Sequence, residues 1–232
     1  RPCKRSAHIM CNRYPGSVAS PRALVVHGGD AQDGSCSGDT WLLDLDELAA
    51  GRPPWRIIAA ASGAPRSNHA AVVHDDCLFV FGGIRARREA LAHLEVLDLT
   101  EMRWSALPDA AAAPPPRWNP TLVLAERAAC LVTFGGYNGS RKFNDVACFC
   151  LDQRRWAHPE AGALAPPPMT DHAAAVVRAA SGADSMVVVG GTHTLMAQSG
   201  VYRADAAPHV WKLELDALPQ RAAWAWLECS GD

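Results

Sequence analysis

The apolar positions of the chain fall in short runs, not at helical spacing. Leu24-Val-Val-His27, Leu78-Phe-Val-Phe81, Leu131-Val-Thr-Phe134 and Met186-Val-Val-Val189 each end in a glycine pair: Gly28-Gly29, Gly82-Gly83, Gly135-Gly136 and Gly190-Gly191. Runs this brief, rich in Val, Leu, Phe and Trp, predict strands, because β-branched and aromatic side chains pack well on a pleated surface. Proline runs at Pro114–Pro116 and Pro166–Pro168 exclude a helix where one unit gives way to the next. The first glycines stand at 28, 82, 135 and 190, so the steps are 54, 53 and 55 residues. Spacing that regular predicts an internal repeat.

Other features keep phase with the glycines. Ahead of each pair a polar turn opens a run: Arg5-Ser-Ala-His8, Pro65-Arg-Ser-Asn-His69, Pro116-Arg-Trp-Asn-Pro120 and Pro168-Met-Thr-Asp-His172. After each pair come a variable loop and an apolar strand with an acid near its end, as in Trp41-Leu-Leu-Asp-Leu45, Glu95-Val-Leu-Asp-Leu99 and Trp211-Lys-Leu-Glu-Leu215. In the third unit Cys150 takes the acid's place. A tryptophan closes every unit: Trp55, Trp104, Trp156, and Trp224 or its neighbour Trp226. Four short strands per unit predict an all-β propeller of four-stranded antiparallel blades, at approximately 5–58, 66–108, 117–158 and 169–228, within one segment 1–232. The glycines are expected to permit positive φ or a close backbone approach, and the tryptophans to fill the gap between blades with the indole N–H on an edge carbonyl.

Composition narrows the function. The 232 residues carry 22 basic and 24 acidic side chains, a net charge of −2, so long-range electrostatics does not mark the chain for nucleic acid or a membrane surface. No apolar stretch approaches the roughly 20 residues of a membrane span. The eight cysteines are scattered, and a chain of this size needs no disulfide framework, so they are read as thiols of a reducing compartment, the cytoplasm or the nucleus. Cys148 and Cys150 share a strand face without the tight turn of a zinc half-site. Because the chain opens on Arg1, it is expected to be a piece of a longer protein.

The P-R-S-x-H-A segment, the glycine pair, L-D-L and the closing Trp together resemble the Kelch repeat family, and Pro65 to Trp104 matches nearly every position. Pro120, Met169 and Cys150 depart from the pattern. The resemblance implies blades of a six- or seven-bladed ring, present here as an open arc or a strained four-blade closure. It also implies a module that binds a protein or peptide through the loops joining strands two to three and four to one, as in substrate selection for ubiquitin ligases. Neither a BTB nor an F-box segment lies within these residues. On that loop face the candidate partner-binding residues are Arg66, Arg85, Arg87, Arg88, Arg117, Asn138, Arg141 and Arg203, and arginine's bidentate donors suit an acidic peptide. The alternative for Arg66 and Arg117 is a structural tie between neighbouring blades, and for the loop arginines a solvated surface.

Enzyme readings fare worse. A copper radical oxidase needs paired His and Tyr ligands, whereas Tyr14, Tyr137 and Tyr202 lie in unrelated loops, and His8, His69 and His172 recur as repeat features. No E-x-x-x-D-x-x-x-H iron spacing, G-x-S-x-G elbow or phosphate loop is present. The expectation is a binding module without catalysis, metal or cofactor. Its rivals are a share in a catalytic propeller or a spacer attached to a catalytic domain.

Overall fold

The computed structural model describes residues 5–6, 9–13, 22–59, 64–85, 88–107, 112–192 and 210–227. Four antiparallel sheets follow one another along the chain. Blade one orders Ile9–Arg13, Ala23–His27, Thr40–Asp44 and Trp55–Ala59. Blade two orders Ala70–His74, Cys77–Phe81, Leu94–Asp98 and Arg103–Ala106. Blade three runs through Thr121–Ala125, Cys130–Phe134, Val146–Cys150 and Arg155–Ala157, and blade four through Thr170–Arg178, Asp184–Thr192, Val210–Glu214 and Arg221–Leu227. A fifth strand, Glu160–Ala161, adds in parallel to the outer edge of blade four at Arg221–Ala222. Each blade is built on a four-stranded antiparallel sheet, as the repeat predicts. The only helix among the described residues, Leu45–Ala49, is a single turn, too short to cross a membrane.

The chain divides into two compact units, Arg1–Leu107 with Pro115–Trp118, and Pro108–Pro114 with Asn119–Asp232. Each has its own apolar core. In the first, Val25 of blade one meets Ala71, Leu78, Val80, Leu97 and Leu99, with Ile58, Val73 and Trp104 packed at the margin. In the second, Val132, Phe134, Cys148 and Cys150 of blade three meet Met186, Val188, Trp211, Leu213 and Trp224 of blade four. Alternation along each strand supplies these faces, since successive side chains point to opposite sides of a sheet.

Register settles which tryptophan closes the fourth unit. Trp55 lies opposite Leu43, Trp104 opposite Leu97, Trp156 opposite Phe149 and Trp224 opposite Leu213, so Trp224 holds the repeat position. Trp224 is buried on the Phe134 ring at 4.8 Å, whereas Trp226 is 50% exposed. Trp104 leans on His27 at 4.9 Å, and His27 occupies the position that Phe81 and Phe134 hold in the next two blades. The indole does not behave as expected: Trp104 Nε1–H meets no acceptor among the described residues, because its ring is drawn onto the imidazole instead of towards an edge carbonyl.

The acid at the end of the third strand holds the turn that follows. Asp44 caps the helix Leu45–Ala49 by accepting from the Asp46 and Glu47 N–H groups, and Asp98 accepts from Thr100 N–H, Thr100 Oγ1–H and Glu101 N–H. At Cys150 that acceptor is gone, and its sulfur lies 3.5 Å from Cys130 Sγ.

A triangle of backbone hydrogen bonds recurs at the glycine pairs. Gly29 N–H donates to Arg66 O, Arg66 N–H to Ser37 O and Ser37 N–H to Gly29 O, at 2.8, 3.1 and 2.8 Å. The same circuit links Gly83, Arg117 and Leu91 at 2.9, 3.0 and 2.9 Å, and Gly136, Met169 and Phe143 at 2.9 Å throughout. Each joins the end of a second strand, the loop after it, and the segment that opens the next repeat. The approach is so close that only glycine fits: a Cβ on Gly83 would lie 2.7 Å from Ser67 O and 2.9 Å from His69 Cβ, at a φ of +94°. His172 is wedged in the same way, its ring against Gly135 and its Cβ against Gly191.

Gly83→Ala is therefore expected to cost about 3 kcal/mol or more. Gly34→Ala, at a φ of +79° with nothing within 4 Å, should cost only the left-handed backbone term of about 1 kcal/mol. Urea denaturation of the two variants checks this, and equal midpoints would contradict the close approach. A second outcome concerns acid. Burial pulls the His172 imidazole down from 6.5 to about 4, against the opposing pull of the Phe134 backbone and Asp171. The unfolded chain then takes up the proton first. This contribution to stability is complete above the unfolded pKa and is lost as pH falls from 6.5 towards 4, by up to about 3 kcal/mol. The urea midpoint of the wild type should drop between pH 7 and pH 5 by more than that of His172→Leu, and parallel profiles would refute the assignment.

Candidate functional site

In both units the loop joining strands two and three meets the connection that leads into the next first strand. In the first unit the loop after Gly29 is shaped by Asp33, which accepts from Ser35 N–H at 3.0 Å and Ser35 Oγ–H at 2.6 Å, holding its carboxyl below the usual range. Cys36, half-buried, sits 3.6 Å from Asp30 Oδ1 and 3.7 Å from Ile84 O, and burial pushes its thiol up. The loop of blade two is a small hairpin, Ile84–Arg85 against Glu89–Ala90, clasped by a bidentate Arg85–Glu89 pair at 2.8 and 2.7 Å. Arg85 is thereby matched by a carboxylate of its own loop. Arg88 is exposed and holds a φ of +58° at the tip. Arg87 and Arg203, with His8, Tyr14 and Tyr202, lie outside the described residues.

Arg66 and Arg117 stand elsewhere than the mouth of the loops. Both are fully buried. Arg66 Nη1 donates to Gly82 O at 3.1 Å, Nε to Ala64 O at 3.2 Å, and Nη2 pairs with Glu95, a partly buried residue of the third strand. Burial lowers the guanidinium pKa and the Glu95 carboxylate opposes that pull. Arg117 Nε donates to Pro115 O at 3.0 Å. With its planar fork turned onto two backbone carbonyls and Glu95, Arg66 ties the segment that opens the repeat to the end of its second strand and to its third.

In the second unit the loop after Gly136 is ordered by Asn138. Its Oδ1 accepts from Ser140 N–H, Ser140 Oγ–H and Arg141 N–H at 3.0, 2.9 and 2.9 Å, and Tyr137 Oη donates to Gly139 O at 2.6 Å. That turn sets Arg141 outward with its guanidinium over the Phe143 ring, 4.9 Å from the centroid. Lys142 Nζ donates to Thr192 O at 2.7 Å and Thr192 Oγ1 at 3.1 Å, and burial lowers its pKa against the pull of Asp171. Asn144 Nδ2 donates to Pro166 O at 3.2 Å, which fixes the loop on the connection into blade four.

Two residues here were not anticipated. Asn119 donates to Asp171, and Thr192 Oγ1 reaches the other oxygen of that carboxylate at 3.4 Å. Through Thr192 they join Lys142 in a polar cluster of mixed sign. The sequence signal was present: Asn68, Asn119 and Asp171 stand at one position of the repeat, before the His or Pro, and hold φ values of +55°, +50° and +60°. Asn and Asp tolerate that left-handed conformation best among residues with side chains. Among the described residues no group of three or more His, Cys, Asp or Glu side chains is placed to hold a metal ion.

Comparison with known proteins agrees with the geometry. The family model described as the KLHDC2/KLHL20/DRC7 Kelch-repeats domain matches residues 1–191. The chain is 27% identical over 224 residues to the flagellar outer arm dynein alpha chain of Chlamydomonas reinhardtii, covering 92% of this chain and 5% of that one. It is 29% identical over 224 residues to Adagio protein 3 of Arabidopsis thaliana, covering 89% and 35%. An F-box/kelch-repeat protein of the same plant is 28% identical over 158 residues, covering 62% and 31%. The chain thus spans about a third or less of the length of these relatives. Kelch-repeat domains are generally interaction modules. With the model matched across most of the sequence and the glycine triangle repeated in register, the chain belongs to the Kelch-repeat family.

Proposed function

We propose that this chain is a protein-interaction module that takes a partner or peptide on the loops joining strands two to three and four to one. The observation that carries this reading is the loop at 137–145, which is ordered by Asn138 yet holds Arg141 in the open, its guanidinium over the Phe143 ring. A preordered loop with an outward guanidinium binds at low entropic cost. Arg88 is the matching group in the first unit. An acidic peptide remains the favoured ligand, with Asp171 and Glu89 setting where its carboxylates are refused. Arg66 and Arg117 support the site without touching the ligand. Substrate selection for a ubiquitin ligase is the cellular role closest to this chemistry, because one relative bears the name F-box/kelch-repeat protein. Free thiols at Cys36, Cys77, Cys130, Cys148 and Cys150 suit a reducing compartment, the cytoplasm or the nucleus.

The test uses the full-length parent protein, tagged, with bound proteins recovered at low and high salt. Arg88→Ala with Arg141→Ala is expected to abolish recovery of a salt-sensitive, acidic partner, while Arg155→Ala on an exposed outer strand leaves it intact. Equal recovery from all three would refute the loop face and favour a spacer. Arg66→Ala should behave differently, lowering the urea midpoint by an amount equivalent to about 3 kcal/mol of unfolding free energy, because it strands the Gly82 carbonyl and Glu95. An unchanged midpoint for that variant would contradict the bracing role.

A further inference from the structure

Blade three sets Cys130, Cys148 and Cys150 in the core of the second unit. Register decides which of them meet. Leu151 N–H donates to Ala129 O at 2.9 Å, so those two residues form a hydrogen-bonded pair. Bonded and non-bonded sites alternate along an antiparallel ladder, which puts the next pair inward, Cys130 opposite Cys150, at a non-hydrogen-bonded site. Side chains come closest there, with Cα atoms about 4.5 Å apart, inside the range of about 4.4 to 6.8 Å that a disulfide spans. The two sulfurs are 3.5 Å apart. Cys148 lies opposite Val132 and is outside the pair.

We propose that Cys130 and Cys150 are an oxidisable cross-strand pair, closed to a disulfide by a peroxide. Cys150, 7% exposed against 1% for Cys130, is the sulfur that reacts first. It attacks one peroxide oxygen, the O–O bond breaks, and Cys150 becomes a sulfenic acid as one water leaves. Cys130 Sγ then attacks Cys150 Sγ: the S–S bond forms, the S–O bond breaks, and the departing hydroxide takes the Cys130 proton as a second water. Two thiols have lost two electrons and two protons, and hydrogen peroxide has been reduced to two waters. The sulfurs close to about 2.05 Å by side-chain rotation, with no shift of strand register. Burial, with Cys150 beside it, pushes the Cys130 thiol up to about 12, so closure is slow at neutral pH and quickens as pH rises. The bond would pin strands two and three at the end away from the loop at 137–145, where Cys150 has replaced the turn-holding acid.

The experiment treats the folded full chain with hydrogen peroxide at neutral and mildly alkaline pH, blocks the remaining thiols, and measures intact mass and linked tryptic peptides. The expected result is loss of two hydrogen atoms and a link between the peptide holding Cys130 and the one holding Cys148 and Cys150, which fragmentation assigns to Cys150. Dithiothreitol should reverse it, and the oxidised form should unfold at higher temperature than the reduced form. Cys150→Ala, which removes only a sulfur, should show neither the link nor the thermal shift. A link through Cys148, a sulfinic acid without any link, or linkage that appears only in urea would each overturn the proposal.

Discussion

Everything in this structure hangs on backbone meeting backbone at the glycine pairs. A second strand ends, the chain turns through positive φ, and the second glycine's N–H reaches the carbonyl of the segment that opens the next repeat. No side chain takes part, so the circuit tolerates substitution around it: Arg66, Arg117 and Met169 hold the same corner with unlike side chains. What it cannot tolerate is a Cβ at Gly28, Gly83, Gly135 or Gly191, because a carbonyl oxygen or the next histidine already occupies that volume. Loops grow from the triangle's second corner, at Ser37, Leu91 or Phe143, and their variety in length and charge leaves the scaffold untouched.

The buried arginines extend the same logic. A guanidinium has five donors in a fixed plane, and at Arg66 they are shared among two carbonyls and a carboxylate. Buried cations are tolerated when every donor has an acceptor, and the end of a propeller strand is rich in carbonyls with no partner in the ladder. The interior thus takes the residue best suited to binding carboxylates and uses it as scaffolding. On the proposed reading, recognition is left to arginines on the loops themselves, where Arg85 is matched internally and Arg141 is spread over an aromatic ring.

Strands and blades were legible from the sequence because glycine, tryptophan and the strand-three acid mark the same points in each repeat, and phase is a one-dimensional property. The choice between Trp224 and Trp226 was not, since the two differ by one pleat and only cross-strand pairing separates them. The direction of Arg66 and Arg117 was hidden for a related reason: whether a side chain at a strand's start faces water or the Gly82 carbonyl depends on residues distant in the chain. Trp104 was expected to place its N–H on a carbonyl, but His27 in a phenylalanine position offered a ring. Asn119 and Asp171 went unremarked although their type at a fixed repeat position carried the signal.

The parallel strand Glu160–Ala161 on the rim of blade four has a meaning beyond its size. An outermost strand bares a row of N–H and C=O groups that can template a foreign strand, and evolution usually masks it. Here the mask is borrowed from the chain's own path between blades, and it lies on Arg221 and Ala222. At those two residues the guard against a foreign strand is covalently tethered to what it guards, so dilution cannot strip it away.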